Sequence, residues 1–296
     1  MSFSFKIKTE FCKRPLEDPC CLIAEAFGVL LFCSSFNWQQ IRISTTCPDF
    51  AKRLPLLFQK AFGLTFDTVP ENFEGKKFLY LMEDKEKIQQ IFQILDYTAD
   101  QLACHINFSF VEKPCCLRAF VQGAFLAGGS ATDPEKSYHL EFSTCHNGLG
   151  KELSALFHET PFQPKIAQRK GHSLCYFKQY PAIYGFLSTF GAENAARELE
   201  EISRQKHLTT SVNRQVNCDA ANLEKSVNAA QEQIQAIRKL ENQGLLDGLP
   251  MKLQETARLR CENPDCTLSQ LADFFTPPLS KSALNHRLRK LIAMVE

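Results

Sequence analysis

The 296-residue sequence lacks a long uninterrupted apolar run, lacks an excess of either charge, and has a single tryptophan, Trp38. The longest apolar stretch, Leu22 to Cys33, is broken by Glu25 and is too short to cross a bilayer, so no membrane helix is expected. The first ten residues place charges at Lys6, Lys8 and Glu10, where a secretory signal needs an apolar centre, and a cytoplasmic location is expected. With 34 basic and 33 acidic side chains the net charge is +1. The balance also holds locally, at 20 against 20 up to residue 196 and 14 against 13 beyond it. Contact with nucleic acid must therefore come from a local patch, not from bulk charge. An apolar fraction of 44% rules out a chain disordered throughout.

Metal-ligand spacings are missing as well. None of the 13 cysteines stands in a Cys-x2-Cys pair, no His-x3-His occurs, and Cys261 and Cys266 lack a second ligand pair. Cys20-Cys21 and Cys115-Cys116 are neighbours that bridge each other only with strain. Reduced, buried thiols are the expectation, with no metal site and no cofactor. Cys104-His105 and Cys145-His146 lack a third orienting group, which predicts a packed thiol beside a surface imidazole in each pair.

What is present is a repeat. Aligning Cys21-Leu22 with Cys116-Leu117 sets an offset of 95 that also superposes Gly28 on Gly123, Leu31 on Leu126 and Ser35 on Ser130. Ile43-Ser44-Thr45 then matches Phe142-Ser143-Thr144, and Phe78-Leu79-Tyr80 falls near Leu174-Cys175-Tyr176. Strands are predicted over 38–43, 77–82, 138–143 and 173–178 from alternation and β-rich composition. Each half reads helix, strand, helix, two strands, helix. The implied architecture is a pseudo-twofold α+β domain over residues 1–196, with Tyr138, Phe142, Tyr176 and Phe177 in its core.

Residues 203–218 are polar and read as a connector, in which Asn213, Arg214 and Asn217 serve either as an interdomain hinge or as a phosphate-contacting arm. Asp219 is expected to cap a helix with an apolar stripe from Leu223 to Leu240, ended by Gly244. Residues 197–247 thus form a connector and linker helix.

Residues 248–296 predict three short helices. Pro250 opens the first, Thr267 with Gln270 makes a capping box for the second, and Ser280 caps the last. This order resembles a helix-turn-helix. On the last helix Ser282, Asn285, His286 and Arg289 project away from Leu284 and Leu288, and Lys281, Arg287 and Lys290 flank them. These side chains suit base edges and phosphates of double-stranded DNA.

The stretch Gly123-Ala124-Phe125-Leu126-Ala127-Gly128-Gly129 resembles a degenerate LAGLIDADG motif, the central helix pair of homing endonucleases. Those enzymes hold their metal with an acidic residue at each helix end, and the matching positions here are Gly128 and Cys33. Neither offers a carboxylate, so no catalytic residue is assigned. Arg118, Lys136 and His139 either line a DNA-facing saddle or are solvated side chains. Joined to the helix-turn-helix, and with matching runs at 118–141, 212–222 and 277–290, the chain resembles the WhiA family of bacterial sporulation and cell-division regulators. The resemblance implies a LAGLIDADG homing-endonuclease-like domain without catalysis, a nucleoid-associated location and sequence-specific DNA binding. In some relatives the partner is an iron–sulfur regulator of the WhiB type. The competing readings are a metal-dependent endonuclease using displaced carboxylates near Asp133, Glu135 and Glu141, and a protein-interaction scaffold built on the Leu223–Leu240 stripe.

Overall fold

The computed structural model describes residues 1–73, 76–98, 104–158 and 160–295, which fall into two units, Met1–Lys206 and His207–Glu296. In the first, α1 (Phe3–Cys12) is capped by the Ser2 hydroxyl, which accepts from Phe5 N, and buries Phe3, Ile7 and Phe11 at helical spacing. The first half continues with α2 (Pro19–Phe32), β1 (Ser35–Phe36), β2 (Ile41–Thr45), α3 (Pro48–Phe62), β3 (Phe78–Met82) and α4 (Lys85–Ile94). The second half contains α5 (Pro114–Gly128), β4 (Gly129–Ala131), β5 (Leu140–Thr144), α6 (Leu149–Leu156), β6 (Lys165–Arg169), β7 (His172–Phe177) and α7 (Tyr180–Phe190).

Both sheets are antiparallel, in the orders β1-β2-β3 and β4-β5-β7-β6. The pairing bears out the internal repeat, since β2 corresponds to β5 and β3 to β7. Two details differ from the expected order. Each sheet opens with a short strand, β1 or β4, too brief to show alternation. In the first half, the place held by β6 in the second is taken by a single bridge between Thr68 and Leu81.

The two halves meet along α2 and α5, which are apolar almost all round and accordingly buried. Glycine makes the approach possible. A Cβ on Gly123 would lie 2.1 Å from the Glu25 carbonyl oxygen, and one on Gly28 would lie 2.1 Å from that of Phe120. The reciprocal pair is the pseudo-twofold in atomic form. Around it lies a phenylalanine-rich core in which Phe142 and Phe177 are buried as expected. Tyr138 and Tyr176 are only half-buried, because the outward face of β7 and the turn before β5 carry them.

Residues 203–218 are not a flexible connector. They lie within one helix, α8 (Glu193–Asn242), and Asp219 is interior to it. No proline or glycine interrupts this stretch, so its polar composition marks solvent exposure and not a break. Gly244, at φ +67°, ends the helix through bonds from Gly244 N to Glu241 O and Leu245 N to Leu240 O.

In the second unit, α9 (Met251–Glu262), α10 (Leu268–Asp273) and α11 (Lys281–Ile292) follow. Leu253, Ala257, Leu271, Phe275, Leu284, Leu288 and Leu291 form its core together with Ile237 and Leu240 of α8. The C-terminal part of the α8 stripe is therefore covered by its own chain, while Leu223 and Val227 remain exposed. Among the described residues, no helix is long and apolar enough to cross a membrane.

Candidate nucleic-acid interface

The turn into α11 is held by local hydrogen bonds. Thr267 Oγ1 accepts from Gln270 N at 3.3 Å while Thr267 N donates to Gln270 Oε1 at 3.0 Å, completing the capping box read from the sequence. Leu279 N donates to Ala272 O at 3.0 Å, and Ser280 Oγ accepts from Ala283 N at 3.2 Å, which starts α11. In the preceding turn, between α9 and α10, the buried Arg260 guanidinium donates to the carbonyls of Asn263, Pro264 and Cys266. Sequence reading missed Arg260, because an arginine in a polar helix gives no sign that it points inward. Burial lowers its pKa from the usual guanidinium value.

These contacts set α11 on its apolar side, with Leu284, Leu288 and Leu291 buried. Lys281, Ser282, His286, Arg289 and Lys290 are exposed, and Asn285 is partly so. Arg287 differs from its neighbours, since its guanidinium lies 5.6 Å from the Phe275 ring centroid and the side chain is half-buried. It packs against α10's end and is not a wholly free flanking cation. Arg214, Asn213 and Asn217 are exposed on α8. All three lie inside this helix and not in a loop.

At the ends of α2 and α5, the two positions that carry acids in homing endonucleases hold none. A Cβ on Gly128 would lie 2.4 Å from Ser143 O and 2.8 Å from Phe32 O, so no side chain fits there. Cys33 is buried, and its thiol lies 3.1 Å from the carbonyls of Leu30 and Ser35 and can donate to either. Burial pushes this thiol up to about 12. A hard divalent cation finds no side-chain oxygen at either position.

Two of the three nearby carboxylates have other partners. Glu141 is bound by His139 Nε2 at 2.9 Å and by Ser130 Oγ at 3.2 Å, and Asp133 accepts from Glu135 N at 3.0 Å within its own turn. His139 is thus paired on the β5 side, and Lys136 is exposed in the turn. Arg118 sits near the opposite end of α5, where it donates to Thr189 O at 2.8 Å and ties α5 to α7. It is not placed to line a surface at the α5 C-terminus.

Of the two cysteine–histidine pairs, Cys145 is exposed while the neighbouring His146 has a buried Nε2 without a partner among the described residues, the reverse of the expected arrangement. Burial lowers the His146 pKa. The first turns of α2 and α5 hold a further group that local spacing did not reveal, with the thiols of Cys20, Cys21, Cys115 and Cys116 close together.

A pseudo-twofold LAGLIDADG-like α+β domain and a helix-turn-helix module define the class. Residues 117–209 match the WhiA LAGLIDADG-like domain, and residues 212–295 match the WhiA C-terminal HTH domain. The chain is 38% identical to a protein of Ruminiclostridium cellulolyticum described as "Probable cell division protein WhiA", over 100% of this chain and 97% of that one. A protein of the same description from Alkaliphilus metalliredigens is 35% identical, over 98% of this chain and 96% of that one. The crystal structure of full-length DUF199/WhiA from Thermatoga maritima superposes with a TM-score of 0.60 at 22% identity, covering 100% of this chain and 98% of that one. The chain belongs to the WhiA family.

Proposed function

We propose that this protein is a sequence-specific regulator of transcription that binds double-stranded DNA in the nucleoid through the helix-turn-helix of residues 248–296. The observation carrying this reading is the outward face of α11, where Ser282, Asn285, His286 and Arg289 stand free of side-chain partners among the described residues, opposite a fully buried leucine seam. A helix of this kind enters the major groove, where arginine pairs bidentately with guanine and asparagine with adenine. Lys281, Lys290 and Arg214 are assigned to phosphates, which fix register without reading sequence. Arg287, leaning on Phe275, adds a positive edge.

The LAGLIDADG-like domain does not cleave in this reading. Its support is the pair Gly128 and Cys33, which lack oxygen ligands where the reaction needs a hard cation. The relatives' description as probable cell division proteins points to cell-division genes as targets. Leu223 and Val227, exposed on α8, are the apolar surface assigned to a partner transcription factor.

The test starts by selecting a duplex from random DNA with the full-length chain and measuring affinity by fluorescence anisotropy. Arg289→Ala is expected to weaken binding by about 1–3 kcal/mol, and Asn285→Ala to flatten preference at one base position by a similar amount. Unchanged affinity and preference in both folded variants overturn the reading. Nicking of supercoiled DNA with magnesium or manganese would instead favour the nuclease.

A further inference from the structure

The repeat brings the same tetrapeptide to one end of the central helix pair twice, Pro19-Cys20-Cys21-Leu22 opening α2 and Pro114-Cys115-Cys116-Leu117 opening α5. Because α2 and α5 lie side by side, cysteines 95 positions apart in sequence become neighbours. Their four Sγ atoms all lie within 4.8 Å of one another, and those of Cys115 and Cys116 are 3.9 Å apart. Cys21 and Cys116 are buried, whereas Cys20 and Cys115 are exposed, so the group lies at the surface with an open approach. Among the described residues this is the only set of three or more histidine, cysteine or acidic side chains drawn together in this way.

We propose that Cys20, Cys21, Cys115 and Cys116 form a structural tetrathiolate site for a zinc ion, which clips the two repeat halves together at the end of the helix pair away from Gly128. The geometry suits a single tetrahedral ion. Zinc–sulfur bonds of about 2.3 Å set sulfur atoms about 3.8 Å apart, so the group needs only a contraction of about 1 Å at its widest. An iron–sulfur cluster, which spreads its four thiolates over two or four iron atoms, requires a wider spread. Soft thiolates select against magnesium and calcium.

The surroundings favour negative charge. Two helix N-termini converge on the group and contribute partial positive charge, and the charge of the Arg14 guanidinium acts on Cys21. Zinc binding would displace the remaining thiol protons and so tighten with rising pH. Four protein ligands leave no open position, which makes the site structural and not catalytic. The inference does not depend on the DNA-binding reading.

The test uses full-length protein purified under reducing conditions, with metal content measured by inductively coupled plasma mass spectrometry. One zinc per chain is expected, falling to none in Cys20→Ser and in Cys115→Ser and staying at one in Cys218→Ser, whose exposed thiol lies on α8. Exchange with cobalt should give the intense visible absorption of tetrahedral thiolate coordination in the wild type and not in the first two variants. Circular dichroism establishes that each variant is folded. Zinc retained in folded Cys20→Ser and Cys115→Ser overturns the proposal. So does a metal-free wild type, including one in which unreduced mass spectrometry finds these cysteines joined as disulfides.

Discussion

Arg53 and Glu25 form a two-pronged ion pair inside the N-terminal unit, with Nε to Oε1 at 2.6 Å and the second guanidinium nitrogen to Oε2 at 2.8 Å, both side chains almost wholly buried. The third nitrogen donates to the carbonyls of Cys12 and Arg14, so one guanidinium joins α3 to α2 and to the turn after α1. Removing one partner leaves a buried charge unanswered. Arg53→Met is expected to lower stability by about 3–5 kcal/mol in urea unfolding. The double variant Glu25→Leu, Arg53→Met should recover part of this loss but not all, because the Cys12 and Arg14 carbonyls stay without donors. Full recovery would show that those carbonyls matter little.

Gly123 is the second point where the helix pair tolerates no change. Its missing side chain admits the Glu25 carbonyl, and backbone cannot move aside as a flexible side chain can. Gly123→Ala should therefore destabilise by about 3 kcal/mol, despite alanine's better helix propensity. Gly63→Ala is a useful contrast, because that glycine has open space and only its φ of +72° resists substitution. A smaller loss there, of about 1 kcal/mol, separates packing from backbone strain in thermal unfolding.

Much of this architecture is legible in the sequence because the signals are local. Thr267 with Gln270, Ser280 and Gly244 mark helix boundaries by hydrogen-bonding chemistry confined to one turn, and they lie where expected. Gly28 and Gly123 gave the repeat. The unread parts have non-local causes. Residues 203–218 look like loop only if polarity is taken for irregularity, whereas an exposed helix needs no apolar face where nothing covers it. Arg118 lies near the N-terminal end of α5 and ties it to α7, a contact across sequence that no local pattern encodes, and Arg260 points inward, which leaves no trace in composition. The cysteine group has no spacing signal within one segment, and its trace in the sequence is the repetition of Pro-Cys-Cys-Leu at offset 95.

Buried thiols give the fold a stability limit at high pH. Cys175 lies on β7 without solvent contact, and burial pushes its thiol up to about 12 from an ordinary value of 9. With the folded pKa raised, the unfolded chain releases its proton first. The associated stability is complete below pH 9 and is lost as pH rises from there towards 12, at about 1.4 kcal/mol per pH unit. Lys8 acts in the opposite sense. Burial lowers it to about 8, so its contribution improves between pH 8 and the ordinary lysine value of 10.5. Cys175→Val removes the first effect and leaves the second. Its unfolding free energy should fall less steeply than the wild type's between pH 9 and 11, whatever its value at neutral pH. Parallel curves would mean that the Cys175 thiol titrates alike in both states.

The clamp made by Arg260 ties α11 to the stability of its own unit. Its guanidinium satisfies the carbonyls of Asn263, Pro264 and Cys266 in the turn between α9 and α10, with the side chain almost completely buried. Arg260→Met keeps the aliphatic volume but leaves those carbonyls without a donor, at a cost of about 1–3 kcal/mol each where water cannot replace the bond. The expected result is earlier hydrogen exchange at Leu271 and Leu284, the core residues of α10 and α11, with α2 and α5 unaffected. DNA affinity should fall in the same variant although Arg260 itself faces no DNA, and cooling should restore it as the module refolds. Lys281→Ala and Lys290→Ala should behave differently: each is expected to leave hydrogen exchange unchanged and to reduce the slope of log affinity against log salt by about 1. A salt slope unaltered by either lysine, with affinity intact, would remove these two side chains from the phosphate contacts.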